Sequence, residues 1–243
     1  MCESGPCSSW FFLRYGDPEA HLRIRFRGDP RRLLQQLLPN LCEWTADHMA
    51  DGLLQRFVVD TYDREIERYG GDAGLAACES LFAVDSAIAI DILALLQANP
   101  KLDRIAILLC SVDHLLEAFA MEPDQRLTWA SRQVASRRSG GEEFRKRKEE
   151  LRSWLSRGEV WRHVADGRLA TLLSQRTSTL ASRAQKLIQL ERSGSLDKPL
   201  EEIIQSVVHM HCNRVAGRVM GVDEQVLALL ARTYRSLAES PAP

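Results

Sequence analysis

Four basic side chains occupy every second position of His21-Leu22-Arg23-Ile24-Arg25-Phe26-Arg27. A guanidinium is a rigid fork of donors matched to carboxylate or phosphate, and it stays protonated in proteins. Such groups hold anions or stabilise developing negative charge; they do not take protons. Two further arginines, Arg64 and Arg68, lie four apart in the stretch 62–71, YDREIERYGG. Any helical turn there places both on one face. The proton-transfer candidate is His209 in SVVHMHCNR (206–214), because imidazole changes charge near neutral pH. The combined chemistry is anion holding with acid–base transfer. Each part also has a plainer reading, a solvated basic strand face for the arginines and a structural role for the histidine.

The elements that must position these groups follow from pattern. Strict alternation over 21–27 predicts a strand with two unlike faces, Leu22, Ile24 and Phe26 toward a core and the basic residues away from it. Trp10-Phe11-Phe12-Leu13-Arg14-Tyr15 is rich in strand formers, and Gly16-Asp17-Pro18 signals a turn, so residues 10–27 read as a hairpin. Asp29 can cap a helix that starts at Pro30, with Leu33, Leu34, Leu37, Leu38 and Leu41 as its apolar stripe. Leu53 to Tyr62 (LLQRFVVDTY) predicts a third strand, and Gly70-Gly71 breaks the stretch that follows.

Beyond Gly71 the chain reads as helical, near 73–83, 86–97, 102–121, 125–136, 142–157, 167–192, 198–216 and 222–238. Asp85-Ser86, Asn99-Pro100, Ser139-Gly140-Gly141 and Ser193-Gly194-Ser195 punctuate these helices. The charge-dense stretch 137–148 mixes signs and reads as a solvated surface. The fold class expected is α+β: a small N-terminal antiparallel sheet packed with a larger, mostly helical body. It is read as a single domain over 1–243, with 10–71 holding the sheet, 72–243 the helices, and 1–9 a truncated or disordered start.

In the helix after Pro199, Leu200, Ile203, Ile204, Val207, Val208 and His211 share the apolar stripe, whereas His209 aligns with Glu202, Gln205, Ser206 and Asn213. His211 is therefore the core histidine and His209 the one that meets solvent or ligand. Histidines two apart do not share a helix face, which argues against a helical metal pair. Asp85 and Ser86 read as a helix cap, and Cys212 as a small buried residue. His21, His48, His114 and His163 stand alone, without acids or cysteines at ligand spacing. No phosphate-binding glycine loop, zinc-protease helix or nucleophile elbow is present.

Composition bounds the rest. With 32 basic and 33 acidic residues, the net charge of −1 exerts no global pull on nucleic acid or membrane. The six cysteines are scattered without a CxxC pair, which favours reduced thiols in a cytoplasmic protein. The longest apolar run, 86–96, contains Asp91 and is too short to span a bilayer.

Four blocks, WFFLRYGDPEAHLRIRFRG (10–28), TYDREIERYGG (61–71), CESLFAVDS (78–86) and SVVHMHCNR (206–214), closely resemble the C-terminal elimination domain of class I lanthipeptide dehydratases. The stand-alone thiopeptide-type bacteriocin biosynthesis proteins share that fold family. In the family a separate domain esterifies Ser or Thr of a precursor peptide with glutamate from glutamyl-tRNA. The elimination domain then expels glutamate, leaving dehydroalanine or dehydrobutyrine. The resemblance implies catalytic roles for His209, Arg25 and Arg64 and substrate-binding roles for Arg23, Arg14 and Arg68. It implies no cofactor and no metal. Its implied partners are a glutamylated precursor peptide and a separate glutamylating dehydratase, with a second copy of the chain as a further candidate. Direct nucleic-acid contact and a membrane span are not implied.

Only nine residues precede Trp10, where the family places another strand and helix, so the resemblance predicts a sheet short of one strand, with an unpaired edge. Two alternatives stay open at this point. One is a pyridine synthase that joins two dehydroamino acids on the same scaffold; the other is a non-catalytic remnant that binds the precursor peptide.

Overall fold

A computed structural model describes residues 5–134, 140–156, 167–217 and 219–239, with Arg176 by its backbone only. Part of the predicted charge-dense loop (135–139), the first residues of the predicted start (1–4) and His163 lie outside the described residues.

The hairpin forms as expected. β1 (Ser9–Tyr15) and β2 (His21–Arg27) pair antiparallel, with Phe11 opposite Arg25 and Leu13 opposite Arg23. β1 is the inner strand: Phe11, Phe12 and Leu13 are all buried, as befits a continuous apolar run. Among the described residues its outer edge carries no further strand. Side chains of the helices complete it instead: the Phe12 amide donates to Ser86 Oγ (3.2 Å), and Arg214 Nε donates to the Phe12 carbonyl (2.9 Å). Asn213 clasps Arg14, accepting from its amide at 2.9 Å and donating to its carbonyl at 2.8 Å.

Three expectations for the N-terminal part are corrected. The faces of β2 are reversed: Leu22 and Ile24 are 59% and 42% exposed, while the arginine face turns toward aromatic rings. Arg23 lies over Tyr15 at 3.9 Å and Arg25 over Tyr62 at 4.8 Å. A guanidinium is attracted to the ring face it stacks on, so this face can be partly buried without a matched acid for each charge. The second correction is that the third strand is absent among the described residues. Residues 56–65 carry no regular secondary structure, and Val58 and Val59 are exposed. Third, the leucine stripe after Asp29 is not core. The helix runs as α1 (Pro30–Arg32), a π-helical stretch Leu33–Leu37 and α2 (Leu38–Ala50), and its only buried residue is Thr45. The wider π turns immediately precede Pro39, which has no N–H to give to the Gln35 carbonyl.

A 3₁₀ turn (Glu67–Tyr69) leads into the helical body. Gly70 has φ +76°, and a Cβ there would lie 2.9 Å from Ile203 Cδ1, so glycine meets both the backbone and the packing requirement. α3 (Gly71–Ala98) is one continuous helix, so Asp85-Ser86 is neither a break nor a cap. It is followed by α4 (Arg104–Ala118), α5 (Pro123–Gln133), α6 (Gly141–Leu155), α7 (Arg168–Arg192), α8 (Leu200–Ala216) and α9 (Val222–Glu239). α3 packs on β1, α7 and α8, while α9 packs on α5 and α6. By length and composition α3 could cross a membrane. Here its apolar residues Leu75, Leu81, Ile88 and Ile92 are fully buried in the body, each contributing about 1.5–3 kcal/mol through burial.

Candidate active site

The arginine face of β2 and the loop 62–66 enclose a cavity of about 390 Å³, lined in part by Phe11, Arg25, Arg27, Tyr62, Arg64 and Glu79. Phe11 anchors it, packing edge-on to Tyr62 (6.0 Å between centroids) and against Phe82 of α3 (5.6 Å). Arg25 Nε is buried and has no hydrogen-bond partner among the described residues. Arg64 is held by a two-pronged pair with Glu79 (3.0 and 3.3 Å) and by Asp72 at 3.4 Å. Burial, reinforced by the charge of Glu79 and a hydrogen bond to it, pushes the Tyr62 hydroxyl up to about 12. Tyr62 is therefore a neutral phenol at working pH. Arg25 and Arg64 both line this cavity, and the guanidinium fork is matched to a carboxylate.

A second cavity of about 380 Å³ opens between the 3₁₀ turn, α8 and the start of α9. Arg68, Gln205, Ser206, His209 and Asp223 are among its lining residues. The amphipathic pattern of α8 turns His209 outward and His211 inward, as the spacing predicts. His209 Nδ1 meets Asp223 Oδ2 at 2.7 Å. That hydrogen bond, with the charge of His209, holds the Asp223 carboxyl below its ordinary value. A carboxylate on Nδ1 fixes the ring and leaves Nε2 as the basic nitrogen. Arg68 joins the cavity wall, bonded to Glu65 (2.9 Å) and to Ser206 Oγ (3.5 Å).

The six residues singled out in the sequence are thus distributed. Arg25 and Arg64 share the first cavity; Arg68 and His209 share the second. Arg64 and Arg68 do not share a helical face, because Arg64 precedes the single 3₁₀ turn. Arg23 stacks on Tyr15 and donates through Nε to His21 Nε2 at 3.2 Å. Arg14 stands opposite Leu22, on the other face of the sheet from Arg23, and reaches the end of α8. A Cβ on Gly217 would lie 2.7 Å from its guanidinium. Sequence reasoning missed Asp223 and Glu79. Asp223 is fourteen residues from His209, in the first turn of another helix, and no spacing rule links them.

His211 makes a contact of a different kind. Ser111 Oγ, His211 and Asp85 line up at 2.8 and 2.7 Å, in the order of a nucleophile, base and acid. Their exposures are 3%, 1% and 1%, so no substrate reaches them. Arg214 donates to the other oxygen of Asp85 at 2.7 Å. Burial acts to raise the Asp85 carboxyl, but His211 and Arg214 outweigh it and the net shift is downward. The network ties α3, α4, α8 and β1 together. Among the described residues no three His, Cys, Asp or Glu side chains converge as a metal site would require.

The family described as "Lantibiotic biosynthesis dehydratase C-term" matches residues 2–234. The chain belongs to that family. Its curated relatives include the subtilin biosynthesis protein SpaB of Bacillus subtilis, 28% identical over 90% of this chain. The nisin biosynthesis protein NisB of Lactococcus lactis subsp. lactis is 24% identical over 93% of it. The chain spans about a fifth of the length of either relative, 21% and 22%. Among solved structures it is similar in fold to the tRNA dependent lantibiotic dehydratase MibB from Microbispora sp. 107891. That likeness has a TM-score of 0.79 at 24% identity and covers 97% of this chain and 25% of that one. TsrL gives a TM-score of 0.58 at 17% identity, over 96% of this chain and 86% of that one.

Proposed function

We propose that this chain acts in lanthipeptide-type dehydration as a single elimination domain, a lyase that expels glutamate from glutamylated Ser or Thr of a precursor peptide. The observation that carries the reading is the His209–Asp223 pair beside Arg68 in an open cavity. β-Elimination needs a base for a weakly acidic Cα–H, and His209 Nε2 is the basic nitrogen set to take that proton. The Cα–H electron pair becomes the Cα–Cβ double bond, the Cβ–O bond breaks, and glutamate departs as its carboxylate. Arginine stabilises the enolate-like charge and the departing carboxylate. Arg68, in the wall beside His209, is the arginine placed for that charge, while Arg25 and Arg64 hold a carboxylate of the bound peptide in the first cavity. Arg23 stacks on Tyr15 in the same sheet face, and Arg14, on the far face, supports β1.

In this reading a cytoplasmic partner installs the ester using glutamyl-tRNA. The test supplies a glutamylated precursor peptide and follows its mass. Loss of glutamate without water addition supports elimination. Turnover only of a peptide already dehydrated would replace it with cyclisation, and binding without turnover would replace it with a peptide-holding role.

A further inference from the structure

Among the described residues the outer edge of β2 is open. The two-stranded order ends there, and the register fixes what it presents. Phe12 and Arg14 send their backbone groups to the helices, so Phe11, Leu13 and Tyr15 bond to Arg25, Arg23 and His21. The N–H and C=O groups of Leu22, Ile24 and Phe26 therefore point away from β1. An edge of this length, flanked by exposed Leu22 and Ile24, is a template for an added strand. The unpaired stretch that ends at Tyr62, pinned to Phe11 and Arg25, leaves Phe57, Val58 and Val59 exposed as well.

The charges select the occupant. If a second copy paired through the same edge about Ile24, Arg23 would face the copy's Arg25 and Arg25 its Arg23. Directly opposite side chains stand about 4.5–5.5 Å apart at Cβ, and like charges there are destabilising. A strand with acidic residues on that face and apolar residues on the Leu22/Ile24 face meets both sides. The curated relatives carry nearly four fifths of their length outside the matched part, so this fold works in them beside further polypeptide.

We propose that the open edge of β2 is a strand-acceptor site for a partner polypeptide, whose docking segment alternates apolar and acidic residues. The site shares Arg25 with the wall of the first cavity, but its test needs no turnover, so it stands or falls apart from the elimination reading. The full chain is titrated with a labelled peptide of alternating valine and glutamate, read by fluorescence anisotropy and amide hydrogen exchange. The expected result is binding with slowed exchange at Leu22, Ile24 and Phe26, and at least about tenfold weaker binding of the valine–lysine counterpart, given the arginine face. Ile24→Pro removes an outward N–H without touching the β1–β2 ladder, and it should abolish binding while the hairpin's own amides stay protected. Ile24→Lys, which breaks no backbone bond, should weaken binding in parallel. Equal binding of both peptides, binding retained by Ile24→Pro, or no binding of either peptide would overturn the proposal. So would a dimer of the chain that already protects those three amides.

Discussion

Replacing Asp223 by Asn keeps the size of the side chain and removes the charge that pairs with His209. The contact is 2.7 Å, and the two side chains are 49% and 27% exposed. A hydrogen bond to a charged group contributes about 1.5–3 kcal/mol, and solvent screening at this exposure places it near the lower end, about 1.5 kcal/mol. If that interaction serves the transition state, one decade of rate per about 1.36 kcal/mol gives roughly a tenfold slower elimination. His209→Ala removes the base itself and should cost about 10²–10⁴-fold. The two losses should not multiply, because Asp223 acts through the imidazole; the double variant should match His209→Ala. The assay is single-turnover loss of glutamate from a glutamylated peptide, by mass, with melting temperatures as the fold control. Asp223→Asn at the parent rate, or a double variant a further tenfold slower than His209→Ala, would refute the dyad.

The remaining predictions concern binding and stability. Arg25→Ala should leave the glutamyl ester accumulating while the fold persists, and Arg25→Lys should fail to restore turnover because an ammonium lacks the planar fork; mass spectrometry reads both. Asp85→Asn leaves Arg214 buried without its carboxylate, and breaking a buried pair costs about 3–5 kcal/mol, measurable by urea denaturation. The Asp85 carboxyl sits lower in the folded chain than in the unfolded one. Its contribution is thus fully present above about pH 4–5 and is lost as pH falls below that range; stability curves taken against pH should steepen there and flatten in Asp85→Asn.

Periodicity alone determined much of this protein. The hairpin, the helices from Gly71 onward and the inward and outward turns of His211 and His209 are local consequences of spacing, and local spacing is what a sequence displays. Four motif blocks were enough to resemble the family that the match over residues 2–234 then established. Tertiary structure decided the rest. Alternation says that β2 has two unlike faces but not which one is covered, and stacking on Tyr15 and Tyr62 drew the arginines inward. Asp85 resembles a cap until α3 runs through it and its charge meets Arg214 from 129 residues away. Asp223 and Glu79 became visible only once helices distant in sequence lay side by side. The division of the arginines between two cavities has the same origin: a single 3₁₀ turn, locked by Gly70 against Ile203, sends Arg64 one way and Arg68 the other.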